Sequence, residues 1–276
     1  MKVRELPDVS VFWRAAESYL SRDPATNTQQ LSAAKRILDL GALHGERFFV
    51  IYPDETENAV LGSAIYVESK ALFLAMMPSA AASALALHLR INDVQLTGVI
   101  GRRELLPAFT DAFAQRSSTH VELMLYQLMK APNYGRAEGR ARVATMEDLD
   151  LLVAWHRASE IELGVIAMPT PLAERVAQRI KNQQLLIWIN AGQAVSMAGA
   201  NPLPAASARI GPVYTPPELR GRGYAQAVTA AASEHVQHDH ARTVFLFTDA
   251  GNPASNKSYQ RIGFVHVADH AHLLFS

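Results

Sequence analysis

The chain has 276 residues, of which 49% are hydrophobic and 19% are charged, a composition typical of a globular protein with a sizeable core. Its 26 basic and 26 acidic residues cancel, so no global field attracts a nucleic acid or a membrane surface. The chain contains no cysteine, which excludes disulfides, thiolate metal ligands and a cysteine nucleophile.

Two segments of the first half bear on location. The first 20 residues carry charges throughout and lack the apolar middle of a secretory signal, so we expect a cytoplasmic protein. The uncharged stretch Ala71–Leu89 approaches the length of a membrane-spanning helix. Because Pro78, Ser79 and His88 interrupt it and much of the rest is alanine, we expect a strand, a turn and a helix with no membrane span.

The middle of the chain resembles a linker. The segment Ala131–Arg140 combines one proline, two glycines and polar residues with no apolar period. Single hydrophobic cores rarely grow much past about 250 residues, so a chain of this length fits two domains. We predict a first domain over residues 1–132 and a second over residues 138–276.

The periodicity of the first domain predicts four helices and five strands. In chain order they are helices Val9–Leu20 and Gln29–Leu40, strands Arg47–Tyr52, Val60–Val67 and Ala71–Met76, helix Ala80–Leu89, strand Val94–Val99, helix Glu104–Gln115 and strand His120–Met129.

The second domain repeats a similar order. Its predicted elements are strand Ala141–Ala144, helices Met146–Ser159 and Pro171–Lys181, strands Leu185–Asn190, Ala194–Ala200 and Ala208–Thr215, helix Tyr224–Gln237, strand Thr243–Thr248, helix Pro253–Arg261 and strand Phe264–Val267. The shared order indicates a duplication. Alternating strands and helices predict the α/β class, with a mixed sheet covered by helices.

A loop in the second domain carries the clearest sign of a ligand. Pro216 and Pro217 end the preceding strand, because proline has no amide hydrogen for the ladder. Gly221 and Gly223 come directly before the helix that starts at Tyr224. The first helical turn has amide hydrogens without internal partners and a partial positive charge, so it favours an anion.

The side chains of this loop agree with a diphosphate ligand. Glycines at 221 and 223 leave the backbone open to a phosphate, and Arg220 and Arg222 can add charge-assisted hydrogen bonds. The loop is neither a P-loop nor a dinucleotide fingerprint. The alternative is an ordinary turn between strand and helix with solvated arginines.

Two motifs carry a family resemblance. Arg220-x-x-Gly223-x-Ala225 after a strand resembles the Arg/Gln-x-x-Gly-x-Gly/Ala motif of the GCN5-related N-acetyltransferases, and Leu246–Val265 resembles the strand, helix and strand of that family's other acyl-CoA motif. The two motifs cover about the last 70 residues, and the order of elements extends the likeness back to Ala141. The resemblance implies two tandem domains of this fold, the first degenerate, each with a mixed, mostly antiparallel sheet flanked by helices and the second with a splayed strand pair.

The same resemblance implies the roles of the site residues. Acetyl-CoA would be the co-substrate, with no metal. A backbone strand would pair with the pantetheine amides, the glycine loop would hold the diphosphate, and a tyrosine would protonate the departing thiolate. These residues are Val213, Tyr214 and Thr215 for the strand; Arg220, Gly221, Arg222, Gly223, Tyr224 and Ala225 for the loop; Asn252 for the pantetheine arm; and Tyr259 as the general acid.

Simpler interpretations exist for several of these residues. Asn252 would also cap the helix that starts at Pro253, and Tyr259 could be a half-buried aromatic residue with a solvated hydroxyl. Glu160 and Glu162 are the nearest acids for a general base by family topology, although solvated acids at a helix end explain them as well.

The histidines do not predict a metal site. The group His235, His238 and His240 is better explained as a solvated helix terminus, because no carboxylate or thiol completes a coordination sphere.

The expected activity is acetyl transfer to a primary amine of a small molecule or a peptide, by direct attack in a ternary complex. A non-catalytic protein that binds or senses acyl-CoA, and a scaffold that binds no acyl-CoA, are the alternatives. The amine itself cannot be identified from the sequence. We expect no nucleic-acid or membrane partner and a monomer or a homodimer.

Overall fold

The protein is described here by a computed structural model that covers residues 1–41, 45–67, 71–163, 171–239 and 241–276. The chain forms two compact units. The first contains residues 1–125, 249–251 and 267–276, and the second contains residues 126–248 and 252–266. Each unit has a mixed sheet flanked by helices, which confirms the predicted fold class. In the described part of the chain, the helices are too short or too polar to cross a membrane.

The first unit consists of four helices and a sheet in the order β1-β2-β3-β4-β5-β12-β6. Its elements are β1 Lys2–Leu6, α1 Val9–Leu20, α2 Thr28–Leu40, β2 Arg47–Tyr52, β3 Gly62–Val67, β4 Ala71–Leu74, α3 Ser79–Ile91, β5 Gly98–Arg102, α4 Leu106–Phe113 and most of β6 Ser117–Leu128, with the end of β12 Phe264–Phe275. The pair β4/β5 is parallel, whereas β1/β2, β2/β3, β3/β4 and β5/β12 are antiparallel.

Both faces of this sheet are covered, which explains its apolar strands. In β2, Phe49 and Ile51 pack with the helices α3 and α4, whereas Phe48 and Val50 pack with α1 and α2. Successive side chains of a strand point to opposite faces, so a continuous apolar run such as that of β2 serves two cores.

The second unit contains the predicted ligand loop. Its elements are β7 Arg140–Val143, α5 Leu149–Glu162, α6 Leu172–Lys181, β8 Leu185–Asn190, β9 Gln193–Leu203, β10 Ser207–Tyr214, α7 Tyr224–Asp239, β11 Thr243–Asp249, α8 Pro253–Ile262 and the start of β12. The strand order is β12-β6-β11-β10-β9-β8-β7. β10/β11 is parallel, and β7/β8, β8/β9 and β9/β10 are antiparallel.

Helices α5 and α6 cover one face of this sheet, and α7 contacts β8, β9 and β10. Val176 and Ile180, which lie on one face of α6 because they are four residues apart, pack with Leu185 and Ile187 of β8. The end of α5, the end of β10 and the start of α7 therefore all belong to the second unit.

The predicted elements are largely confirmed, with shifts of up to three residues at several ends and three larger differences. β1 was not predicted, because Lys2, Arg4 and Glu5 in an edge strand leave little apolar alternation. β5 begins at Gly98 and not at Val94. β12 extends to Phe275, since pairing with β5 continues the strand beyond Val267.

The compact units place the chain's last ten residues, Val267–Ser276, in the first unit. The domain ranges 1–132 and 138–276 and the tandem arrangement stay predictions.

Candidate active site

In the sheet of the second unit, β10 stops pairing with β11 before either strand ends, and we call the region between the two strands beyond their last pair the cleft. Their parallel pairing covers three residue pairs and ends at Arg209 and Phe245. Both strands continue, β10 to Tyr214 and β11 to Asp249. Pairing of β10 with β9 shifts register between Ile210 and Val213, which is a bulge. Within the described residues no β10/β11 pair follows Arg209 and Phe245, and two strands that stop pairing in this way can bind an extended ligand between them.

The glycine loop lies between β10 and the start of α7 and has a conformation that requires glycine. Gly221 and Gly223 have φ of 78° and 82°, in the left-handed region. A Cβ at Gly221 would meet no heavy atom within 4 Å, and one at Gly223 would lie 3.6 Å from the Cβ of Ala137. The loop is thus open, and backbone conformation, not crowding, explains both glycines.

Helix α7 begins directly after Gly223, whose carbonyl accepts the first helical hydrogen bond from Ala227 N at 3.0 Å. The amides of Tyr224, Ala225 and Gln226 consequently have no acceptor inside the helix. The buried Tyr224 side chain fixes this turn, since its hydroxyl accepts a hydrogen bond from Asn190 Nδ2.

The two loop arginines differ in their contacts. Arg220 donates through Nη2 to both carboxylate oxygens of Glu162, at 2.7 and 2.9 Å, and through Nε to Thr215 O at 2.9 Å. Its guanidinium also lies 5.8 Å from the ring centre of Tyr214. Arg222 is exposed and approaches Glu218 O at 3.5 Å. Contact of either arginine with a diphosphate stays a prediction.

The predicted pairing strand is held from the β9 side. Val213 and Tyr214 pair with Ala198 and Met197. The hydroxyl of the buried Ser196 donates to Tyr214 O at 3.0 Å and lies 2.7 Å from Thr215 Oγ1. These bonds fix the strand end while its opposite edge faces the cleft.

The predicted residues of α8 are near its two ends. Asn252 is the N-cap, and its Oδ1 accepts from Ser255 N at 3.1 Å. Tyr259 is half-buried, and its ring lies 6.3 Å from that of Phe264. Burial raises the pKa of Tyr259 to about 12, so the phenol is protonated at neutral pH. Capping by Asn252 is therefore observed, and ligand contact by either residue is untested.

The two candidate bases form ion pairs. Glu162 binds Arg220, and Glu160 accepts a hydrogen bond from Arg175 at 2.8 Å. Each of the two carboxylates is therefore held by an arginine. Of the predicted histidine group, His235 has Nε2 3.1 Å from Gln183 O, and His240 lies outside the described residues.

Sequence reasoning missed the side chains that support the bulge. Arg179 of α6 and Asn201 of β9 donate hydrogen bonds to the carbonyl of Gly211, and His156 of α5 is hydrogen-bonded to Arg179. A signal was present in Gly199, because a lone glycine inside a strand often marks a close backbone approach. A Cβ there would overlap the Arg179 guanidinium and Gly211 O.

The comparisons identify the class of this unit. Residues 149–264 match the Acetyltransferase (GNAT) family, and this stretch is a GNAT acetyltransferase domain. The domain thus belongs to a family of acyltransferases.

One curated relative and two solved structures show the extent of the similarity. A mycothiol acetyltransferase of Paenarthrobacter aurescens (strain TC1) is 41% identical over 59 residues, which span 20% of this chain and 18% of that protein. A GNAT-family acetyltransferase from Colwellia psychrerythraea has a TM-score of 0.64 at 14% identity, with 100% of this chain and 99% of that chain covered. A GCN5-related N-acetyltransferase from Sphaerobacter thermophilus has a TM-score of 0.62 at 15% identity, with 99% and 95% covered. At 14% and 15% identity, the likeness to the two solved structures shows the fold alone.

Proposed function

We propose that the protein transfers an acetyl group from acetyl-CoA to a primary amine of a small molecule or a peptide, by direct attack in a ternary complex. The supporting observation is the divergence of β10 and β11 beside the open glycine loop, inside the domain that matches the acetyltransferase family. An extended pantetheine suits the cleft, and a diphosphate suits the first turn of α7.

The residues of the chain fit acetyl-CoA. The open space at Gly221 and the first-turn amides of Tyr224 and Ala225 would hold the diphosphate. The segment Val213–Thr215, which lies beyond the last β10/β11 pair, would bind pantetheine amides, with Asn252 contacting the same arm. Bound acetyl-CoA supplies a thioester, an acyl donor open to attack by a neutral amine.

Proton transfers complete the proposed mechanism. Tyr259, protonated at neutral pH, would donate its phenolic proton to the departing sulfur. Because Glu160 and Glu162 are engaged by arginines, we assign the removal of the amine proton to water. The chain's contribution is mainly to align the amine with the thioester.

We further propose that the first unit is a degenerate copy that does not bind acyl-CoA. The segment after β4 corresponds to the end of β10, and its backbone is already bonded within the unit. Met76 N donates to Asn27 Oδ1 at 3.0 Å, and Met76 O accepts from the Tyr19 hydroxyl. Pro78 and Ser79 stand where the second unit has its glycine loop. Calorimetry should accordingly titrate a single CoA per chain.

We propose a cytoplasmic location for the enzyme.

The test measures thiol release from acetyl-CoA with a panel of amines, for the parent and for Tyr259→Phe. We expect amine-dependent thiol release by the parent and a loss of about 100-fold or more in the variant, with little change in CoA affinity, because only the proton donor is removed. CoA binding without amine-dependent thiol would indicate a binding or sensing protein. No heat on titration with CoA would reject the proposed site.

A further inference from the structure

We propose that Arg179 is a positioning residue for this reaction, because it holds open the β10 bulge from which the cleft begins. The inference rests on the proposed function. We call Arg179, His156 and Asn201 the bulge clasp.

The clasp binds the bulge at its centre. Arg179 Nη2 donates to Gly211 O at 3.1 Å and to Asn201 Oδ1 at 2.8 Å. Asn201 Nδ2 donates to the same carbonyl at 2.7 Å and to Arg209 O at 2.8 Å. Gly211 O thus has two donors, one for each lone pair, and is bound without a β-ladder partner. Where the register of the β9/β10 pairing shifts, the side chains of Arg179 and Asn201 supply the hydrogen bonds that a paired strand would otherwise supply.

The clasp also marks the point at which β10 leaves β11. Arg209 is the last β10 residue paired with β11, and its carbonyl is one of the two held by Asn201. Two residues later comes Gly211, held by Arg179. The clasp therefore lies where β10 stops pairing with β11, directly before the segment proposed to bind pantetheine.

His156 orients the guanidinium. Arginine can only donate, so His156 Nε2 accepts from Arg179 Nη1 at 3.0 Å, and His156 Nδ1–H donates to Leu152 O at 2.9 Å. Burial first, and then the Arg179 charge, lower the pKa of His156 to about 4, which keeps the acceptor neutral. Three acceptors, one on α5 and two on the neighbouring strands β9 and β10, thus fix the plane of the Arg179 guanidinium.

The geometry is specific for arginine and for the small residue beneath it. Gly199 of β9 leaves the space that the guanidinium fills, and a Cβ there would overlap it. A lysine has one compact ammonium and cannot reach His156, Asn201 and Gly211 in a fixed planar arrangement.

The experiment compares Arg179→Lys with Lys181→Gln, which removes an exposed cation from the same helix. Steady-state kinetics give KM for acetyl-CoA, KM for the amine and kcat. Hydrogen exchange of the segment 210–215 reports the strand directly. For Arg179→Lys we expect at least a tenfold rise in KM for acetyl-CoA, a lower kcat and faster exchange in this segment, with the KM for the amine much less affected. Lys181→Gln should match the parent.

Two further variants keep the test decisive if Arg179→Lys unfolds. His156→Gln can accept from Arg179 and donate to Leu152 O, so it should retain the parent values, whereas His156→Leu should behave like Arg179→Lys. A purely space-filling role would predict the reverse order, because leucine is apolar. If Arg179→Lys and His156→Leu both fold and show the steady-state kinetics and the hydrogen exchange of the parent, the proposal is overturned. If the parent itself releases no thiol, the proposed function fails, and the exchange measurement alone decides whether the clasp shapes β10.

Discussion

Gly223 shows most clearly how one residue can serve both conformation and binding. Its φ of 82° is costly for any side chain, and a Cβ would project into nearly open space beside the first turn of α7. A side chain at position 223 is therefore expected to have two separate effects. Backbone strain would lower the stability, and the side chain itself would exclude a ligand from the open space.

We expect Gly223→Val to abolish measurable CoA binding and to lower the free energy of unfolding by about 1–2 kcal/mol, the cost of a side chain in the left-handed region. The matched control is Gly192→Val in the turn between β8 and β9, where φ is 77° and a Cβ would meet no heavy atom within 4 Å. It should lose similar stability and keep its CoA affinity. Calorimetry and urea unfolding measure the two effects, and equal loss of affinity in both variants would contradict a role for the loop.

Much of this site was accessible from sequence at the residue scale. Glycines 221 and 223, the prolines before them and the cap at Asn252 are local signals, since each depends on the conformation of a few neighbouring residues. The partner of Arg220 was not accessible. Glu162 lies 58 positions away, and only the packing of α5 beside the end of β10 brings the two charges together.

At the scale of elements, α5, α6, β9 and β10 are joined by a buried polar network instead of apolar contacts alone. His156 is 5% exposed and Arg179 is bonded to it, so the histidine is stable only while neutral. The charges that act on His156 are Arg179 and Arg175 of α6. Arg209 of β10 acts on Arg179, and Glu160 of α5 is bound to Arg175.

This burial predicts an acid-sensitive second unit. The pKa of His156 falls from 6.5 to about 4 in the folded state, so the unfolded state binds more protons between these values. The contribution of neutral His156 to the free energy of unfolding is fully present above pH 6.5 and is lost as the pH falls through about 4. This contribution amounts to up to about 3 kcal/mol. The free energy of unfolding, measured with urea at pH 7.5 and pH 4.5, should decrease less on acidification in His156→Gln than in the parent. The exposed His238→Gln is the control, and an unchanged acid loss in His156→Gln would reject this source.

At the scale of the whole molecule, the order of strands departs from the order of the chain. The neighbour of β5 in the first unit is β12, the last strand of the chain. Five residue pairs join them, from His270 with Arg102 to Leu274 with Gly98. Ala271 is buried in the core of the first unit, and the Phe275 ring lies 4.9 Å from that of Phe113.

Deletion of residues 267–276 should therefore destabilise the first unit, although these residues follow the acetyltransferase domain in sequence. The deletion exposes the edge of β5 and removes apolar contacts from its core. We expect loss of a cooperative thermal transition and increased light scattering. Removal of Ser276 alone is the control, and a truncated chain that melts like the parent would contradict this assignment.

The sequence by itself determined most of the elements and the placement of the glycine loop before α7, because helix period, strand alternation and glycine placement are local properties of the chain. Tertiary structure decided the rest. The hydrogen bonds of Arg179 in the bulge clasp, the Glu162–Arg220 pair and the pairing of β12 with β5 join residues between 22 and 176 positions apart. Such contacts depend on how whole elements pack, and no short-range pattern records which distant side chain will meet a given backbone carbonyl.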